Sequence, residues 1–196
     1  MNEPKVVLHH YLQTARDVML WKLDGLGEYD VRRPLTPTGT NLLGLVKHLA
    51  SVELGYFGST FGRPSPVRLP WFDDGAEPDA DMWATADETR EEIVALYRRA
   101  WAHADETIAR NDLDAVGHVA HWPPEREEVT LHRILVHMIA ETHRHAGHAD
   151  VVRELVDGAV GHRDGVDNMG DLDTHGRAAL HARIERAARD AAERSV

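Results

Sequence analysis

The chain has 196 residues, no cysteine and a formal net charge of -11, from 33 acidic and 22 basic residues. The absence of cysteine excludes disulfides, thiolate ligands and a cysteine nucleophile, so any metal has to be bound by His, Asp or Glu. The negative charge disfavours nucleic acid and anionic membrane surfaces as partners, and no local basic patch offsets it.

Neither end of the sequence carries an obvious targeting or membrane segment. The first twenty residues lack the basic start and the unbroken apolar stretch of a signal peptide, and no later run approaches the roughly 20 apolar residues that cross a bilayer. We therefore expect a soluble, cytoplasmic protein.

Apolar residues recur at steps of three and four in four long segments, which predicts four amphipathic helices. These segments are 5–24, 41–58, about 85–110 and 131–158. Thr38 or Thr40 is expected to cap the second helix, and Thr130 the fourth. With two long connections between them, the helices predict an all-α four-helix bundle.

The whole sequence fits a single domain over 1–196, with the bundle core at about 5–158 and a C-terminal extension at 159–196. Good helix formers at 174–195 predict an accessory terminal helix. The alternation of apolar and polar residues that is typical of strands is missing throughout, so we predict no strand.

The connection 62–84 is rich in proline, glycine and acids and is predicted to be a long surface loop. Loops of this length in compact domains often carry function. Its three aromatic residues, Trp71, Phe72 and Trp83, either fill the core or cover an apolar substrate.

A cluster of histidines marks the fourth predicted helix. At 100° per residue, its inward candidates fall within an arc of about 80°; they are His137, Glu141, His145 and His148. Buried apolar neighbours are expected around this arc, and they are Leu131, Leu135, Met138, Val152 and Leu155. His143 points elsewhere and is predicted to be solvated.

The Glu141/His145 spacing alone is weak evidence for a metal site. An acid also precedes a histidine by four residues at Asp114/His118, Glu128/His132 and Asp171/His175. Only Glu141/His145 lies in the middle of a helix on an apolar face. A buried carboxylate beside a buried imidazole needs either a shared proton or a metal ion to compensate it, and the helix itself leaves both open.

His48 adds a third candidate donor. It lies between Leu45 and Val52 on the inward side of the second predicted helix, so it should point into the bundle. Two imidazoles and one carboxylate form a three-ligand site of the kind that leaves a position for water or substrate. His137 and His148 are either additional ligands or groups that line the pocket, and Glu53 is a weaker candidate for the same cavity.

Two segments of the sequence resemble a known family. "LVKHLASVELGYF" and, about ninety residues later, "TLHRILVHMIAETHRHAGHADVVRELVDG" are similar to the DinB/YfiT-like superfamily, specifically its actinobacterial branch that includes mini-circle proteins. The resemblance extends from the first helix to about Gly158. It implies a four-helix bundle, commonly a homodimer, with one divalent metal held by His48, Glu141 and His145.

Details of the resemblance favour thiol chemistry. Many relatives have histidine at the position of Glu141, whereas the mycothiol-dependent maleylpyruvate isomerase branch has glutamate there, and this sequence resembles that branch. His148 departs from the glutamine of many relatives, which leaves a fourth ligand open. Zn²⁺ suits the two histidines and one glutamate, and Ni²⁺, Fe²⁺ or Mn²⁺ would bind the same set.

The resemblance implies an S-transferase or isomerase that uses a low-molecular-weight thiol, such as mycothiol or bacillithiol, with an electrophile as partner substrate. Arg153 is then expected either to meet an anionic part of the thiol or to form a surface or intersubunit ion pair. The alternatives are a non-catalytic metal-binding stress or damage-response protein, in which His137 or His148 closes the site, and a hydrolase with Glu53 as general base. Exposed Trp21 and Trp101 would support dimerisation.

Overall fold

The computed structural model describes residues 3–194, so the outermost limits of the predicted domain, residues 1 and 196, lie outside the described residues. The fold is all-α, as predicted, and its helices and strands follow in chain order: α1 (Pro4–Trp21), α2 (Glu28–Arg32), α3 (Leu42–Glu53), α4 (Arg90–Arg110), β1 (Val116–His118), β2 (Glu128–Thr130), α5 (Leu131–Asp157) and α6 (Thr174–Glu193). The four long helices α1, α3, α4 and α5 form the bundle, in which α1 packs on α5 and α3 packs on both α4 and α5.

The helix ends follow from local chemistry. Thr89 and Glu92 form a reciprocal capping box that starts α4, and Thr130 caps α5 as predicted. Asn41 caps α3 by accepting a hydrogen bond from the Gly44 amide, so the prediction of Thr38 or Thr40 was wrong. Asparagine caps helices as well as threonine does, and Asn41 is the cap because it directly precedes the first residue of α3.

The second predicted helix is α3 with two irregular turns at its end. Leu54–Gly58 forms a π-helical turn and Ser59–Phe61 a 3₁₀ turn, after which Gly62 has φ 69° and ends the helix. The predicted break before α3 contains the short α2, which a five-residue pattern could not reveal.

The prediction of no strand was wrong for six residues. β1 and β2 pair antiparallel, with Gly117 opposite Val129. Strands of three residues are too short to show an alternating pattern, and Pro123–Pro124 lie in the loop between them. This hairpin packs against the 3₁₀ turn Ser59–Phe61, since a Cβ on Gly117 would lie 2.7 Å from the Thr60 carbonyl oxygen.

The core is continuous along α3, whose side chains are buried on most of its circumference. The predicted apolar neighbours Leu131, Leu135, Met138 and Val152 are buried, whereas Leu155 is 64% exposed, so its predicted inward position was wrong. α6 has no buried residue among those the structure describes, consistent with its prediction as an accessory helix.

Within residues 3–194, no helix is long and apolar enough to cross a membrane.

Candidate metal centre

Three side chains from two helices converge in the bundle. His48 on α3 and the pair Glu141 and His145 on α5 each offer one donor atom, and these atoms lie within 4.8 Å of one another. Among residues 3–194 this is the one group of three or more such donors close enough to share a metal ion. It is the set that the sequence indicated.

The distances fit a tetrahedral ion. His145 Nε2 lies 2.9 Å and His48 Nε2 3.7 Å from the same oxygen, Glu141 Oε1. Donors at about 2.0–2.1 Å from a tetrahedral ion are roughly 3.3 Å from one another, which lies between these two values. The two imidazole rings meet edge to face, with centroids 4.9 Å apart. The residues present therefore fit a divalent ion that prefers nitrogen and oxygen donors.

The protonation states of the donors also suit a cation. Burial lowers the pKa of His145, and repulsion from His48 lowers it further, which favours the neutral imidazole that binds metals. Burial by itself would raise the pKa of Glu141, but attraction to His145 and a hydrogen bond from its ring, with further attraction to His48, lower it. Glu141 thus stays ionised.

Asp81 is a site residue that the sequence analysis missed. Its Oδ2 lies 2.6 Å from His48 Nδ1, so the Nδ1–H donates to the carboxylate and Nε2 is left to face Glu141. The hydrogen bond from His48 lowers the pKa of Asp81 despite partial burial. A carboxylate behind a ligand histidine fixes its tautomer and its orientation.

The loop segment 80–83 is fixed along α3, which places Asp81. Lys47 donates to the carbonyl oxygens of Ala80 (2.8 Å) and Trp83 (3.0 Å), and the Asn41 amide donates to that of Met82 (3.1 Å). Gly44 allows this close approach, because a Cβ there would lie 1.8 Å from the Met82 oxygen. Within the 62–84 loop, this segment brings a side chain to the donors.

The other predicted site residues lie around the donors or away from them. His137 lies against Tyr56 and Trp122, with ring centroids at 4.7 and 5.3 Å. His148 is exposed, with its ring centroid 5.4 Å from that of His145. Neither belongs to the converging donor set, and His143 is exposed as predicted.

Glu53 is held elsewhere in the bundle. Its side chain is fully buried and accepts two hydrogen bonds from Arg16, at 2.9 and 3.0 Å, and it does not belong to the converging donor set. Burial raises the pKa of this carboxyl, while the Arg16 guanidinium opposes the shift. A buried arginine needs an acid to compensate its charge, and the sequence did not show which acid would pair with Arg16.

Arg153 also has a structural position. It donates to the backbone oxygens of Lys22 and Asp24 and pairs with Asp157 at 2.7 Å, which ties α5 to the end of α1. Arg153 is buried and is therefore engaged within the chain, in an ion pair with a residue of its own helix.

The aromatic residues of the loop divide between two places. Trp71 donates to Ser51 Oγ at 2.9 Å, and its ring lies 4.2 Å from Lys47 Nζ. Phe72 is 56% exposed and lines a cavity of about 620 Å³ beside the bundle. Trp83 is largely exposed and lines a separate groove with Trp71.

Comparison with known families agrees with this arrangement. A sequence model of the family described as mycothiol-S-transferase matches residues 7–158. The chain belongs to this family. The match spans the four-helix bundle, including all three donors, and ends at Gly158, where α5 ends and the tail begins. A search of curated proteins found no match to the chain.

Membership in the mycothiol-S-transferase family confirms the resemblance to mycothiol-dependent DinB-like proteins. It relates the chain to S-transfer from a small thiol, and so agrees with the thiol chemistry expected from the sequence.

Proposed function

We propose that this protein is a divalent-metal-dependent S-transferase that joins mycothiol to an electrophile. The observation that carries the proposal is the convergence of His48, Glu141 and His145, backed by Asp81, in a chain of the mycothiol-S-transferase family. A divalent ion at this site would stabilise the thiolate form of a thiol whose pKa is ordinarily about 8.5, and so provide a nucleophile at neutral pH.

The protein's own residues prepare the site in distinct ways. Asp81 holds the Nδ1–H of His48, which keeps its Nε2 free as a donor. Glu141 supplies the negative charge that offsets part of the charge of the ion, and His145 supplies a second neutral imidazole. Zn²⁺ is the ion proposed for this donor set, with Ni²⁺, Fe²⁺ or Mn²⁺ as alternatives that availability decides.

The placement of neighbouring groups supports an open site. His137 is engaged by aromatic rings one helical turn before Glu141, and His148 is exposed, so neither belongs to the converging set that would close the site. This favours catalysis over the non-catalytic alternative. The hydrolase alternative loses its proposed base, because Glu53 is bound to Arg16.

The proposal is tested by S-transfer assays with mycothiol and a reactive electrophile, after loading with Zn²⁺. We expect turnover in the parent, loss of at least 100-fold in Glu141→Gln and His48→Ala, and parent-like turnover in His143→Ala, an exposed histidine of the same helix. Turnover retained in both donor variants would contradict the proposal.

A second measurement separates an open site from a closed one. Mycothiol is expected to change the visible absorption of the Co²⁺-substituted parent, because its sulfur would enter the coordination sphere. An unchanged spectrum at saturating thiol would favour the non-catalytic metal-binding alternative.

A further inference from the structure

A cavity of about 620 Å³ begins one helical turn beyond His48 on α3. Ser51 and Val52 form its near wall, the π-helical turn contributes Gly55 and Tyr56, and the hairpin contributes residues 118–121. π-Helical turns occur frequently at functional sites. The cavity therefore begins close to the candidate metal centre along α3.

The lining of this cavity is mostly apolar. Among the described residues that line it there is no Asp, Glu, Lys or Arg; the polar groups are hydroxyls and two histidines. A charged ligand would lose hydration there without gaining a partner of opposite charge. Because most of the lining surface is apolar, the cavity suits a substrate less polar than mycothiol, a sugar thiol rich in hydroxyl groups, and so it suits the other substrate.

Tyr56 is positioned between the cavity and the donors. Its ring contacts His137, one turn before Glu141, and its hydroxyl accepts a hydrogen bond from Trp122 Nε1 at 3.2 Å. Because an indole N–H can only donate, it fixes the phenol oxygen as an acceptor and leaves the O–H to be donated. His121 Nε2 lies 3.3 Å away, a long contact that a ligand oxygen can replace. Burial raises the pKa of Tyr56, so the hydroxyl keeps its proton.

We infer that this cavity binds an uncharged, largely apolar electrophile, and that the Tyr56 hydroxyl donates a hydrogen bond to the oxygen on which the electrophile gains negative charge. The inference rests on the proposed function and specifies its second substrate. An α,β-unsaturated ketone satisfies both requirements.

The chemistry of such a ketone shows why the hydroxyl matters. The thiolate sulfur forms a bond to the β carbon, the π electrons shift through the conjugated system, and negative charge builds on the carbonyl oxygen. The proton that the thiol lost is then returned to the α carbon, which completes the adduct. With an alkyl halide, the sulfur–carbon bond forms as the halide leaves with its electron pair, and no oxygen gains charge.

Binding is tested first, on metal-free protein, so that activity is not needed. Calorimetric titration compares butyrophenone with 4-butanoylbenzoate, which adds a carboxylate to the same ketone. We expect butyrophenone to bind at least tenfold more tightly. Equal or tighter binding of the carboxylate would overturn the assignment of an uncharged ligand.

A blocking variant locates that binding in the cavity. A Cβ on Gly55, which lines the cavity, meets nothing within 4 Å, so Gly55→Leu is the variant chosen to fill the cavity; Gly27→Leu, at an equally open glycine outside the lining, is the control. We expect at least tenfold weaker butyrophenone binding in Gly55→Leu and parent-like binding in Gly27→Leu. Unchanged binding in both would overturn the location.

The role of Tyr56 is tested by the class of electrophile. With mycothiol and the Zn²⁺-loaded protein, we expect Tyr56→Phe to lower kcat for phenyl vinyl ketone on the order of 100-fold. The kcat for benzyl chloride should stay within about twofold of the parent value, because only the ketone develops an oxyanion. Equal losses for both electrophiles would overturn the hydrogen bond. If no electrophile reacts with the parent while butyrophenone still binds, the S-transferase function and the role of Tyr56 are both contradicted. The assignment of an uncharged ligand to the cavity would then still hold.

Discussion

Asp81 shows how a residue outside the donor set can control the site. Its hydrogen bond to His48 Nδ1 selects the tautomer that presents Nε2 to the centre of the donor set. In Asp81→Asn the partner is no longer charged, so the histidine is held less firmly. We expect the affinity for Zn²⁺ to fall by about 10–100-fold, measured by competition with a chelating dye.

Asp79→Asn is the control for that measurement. Asp79 is an exposed residue of the same loop with φ 57°, a conformation that asparagine tolerates. Parent-like affinity is expected for this variant. An Asp81→Asn protein that also binds as tightly as the parent would show that His48 does not depend on the carboxylate.

Asp105 predicts how stability depends on pH. Burial alone would raise the pKa of Asp105, but hydrogen bonds from His9 and Arg16, at 2.8 Å each, lower it below its usual 3.8. A carboxyl with a lowered pKa in the folded state stabilises the fold above the unfolded pKa, and this contribution is lost as the pH falls through the folded pKa.

We therefore expect Asp105→Asn to lower the free energy of unfolding at pH 7 by about 0.5–1 kcal/mol, a reduced figure because the side chain is 38% exposed and water screens the ion pair, and the gap from the parent to shrink below about pH 4. Urea titrations across this pH range measure the gap. Asp74→Asn, an exposed acid of the 62–84 loop, should match the parent throughout. A gap for Asp105→Asn that stays constant to pH 2.5 would contradict the ionised pair.

At the residue scale, the sequence predicted the donors but not their neighbours. His48, Glu141 and His145 are recognisable because each lies on an apolar face of a long helix, where spacing fixes direction. Asp81 lies among several acids of a loop without a period, and only the folded path of that loop shows which acid meets His48. The partner of Arg16 was hidden for the same reason, since its contacts to Glu53 and Asp105 join three separate helices.

Two glycines inside helices predict opposite effects of the same substitution. A Cβ on Gly147 meets nothing within 4 Å, whereas a Cβ on Gly44 would overlap the Met82 carbonyl oxygen at 1.8 Å. We expect Gly147→Ala to stabilise the protein by about 0.5–1 kcal/mol, because alanine loses less backbone entropy in a helix. We expect Gly44→Ala to destabilise it and to weaken Zn²⁺ binding, because the displaced segment carries Asp81.

Thermal unfolding and a Zn²⁺ titration of both variants test this contrast. A Gly44→Ala protein with parent-like stability and affinity would show that the 80–83 segment moves away from α3 without cost to the site. Stabilisation of both variants would also show that this segment moves away without cost.

At the element scale, long helices were predictable because each repeats its pattern over several turns. The hairpin and α2 were not, since three to five residues carry no usable period. The π-helical turn at Leu54–Gly58 escaped prediction because it interrupts a pattern only locally, yet it brings Tyr56 to the cavity.

The whole molecule divides into a bundle that the family model matches and a tail beyond Gly158. No residue of α6 is buried among those described. We expect deletion of residues 168–196 to leave the midpoint of thermal unfolding within about 2 °C of the parent, with unchanged Zn²⁺ binding. A larger decrease in the unfolding midpoint, or a decrease in Zn²⁺ affinity, would show that the terminal helix packs on the bundle.

Homodimerisation stays a prediction. The two tryptophans whose exposure would support it are both partly buried, and Trp101 packs against the core beside Tyr97 with ring centroids 4.9 Å apart. The sequence pattern could place these residues on helices but not decide how far the neighbouring helices cover them.

The central claim is that His48, Glu141 and His145 bind one divalent metal ion. Elemental mass spectrometry on the untagged parent, His48→Ala, Glu141→Gln and the exposed control His143→Ala tests it most directly. We predict about one equivalent of metal in the parent and in His143→Ala, and its loss in the two donor variants. A folded parent that is free of metal and cannot be reloaded with Zn²⁺, Ni²⁺, Fe²⁺ or Mn²⁺ would contradict the account.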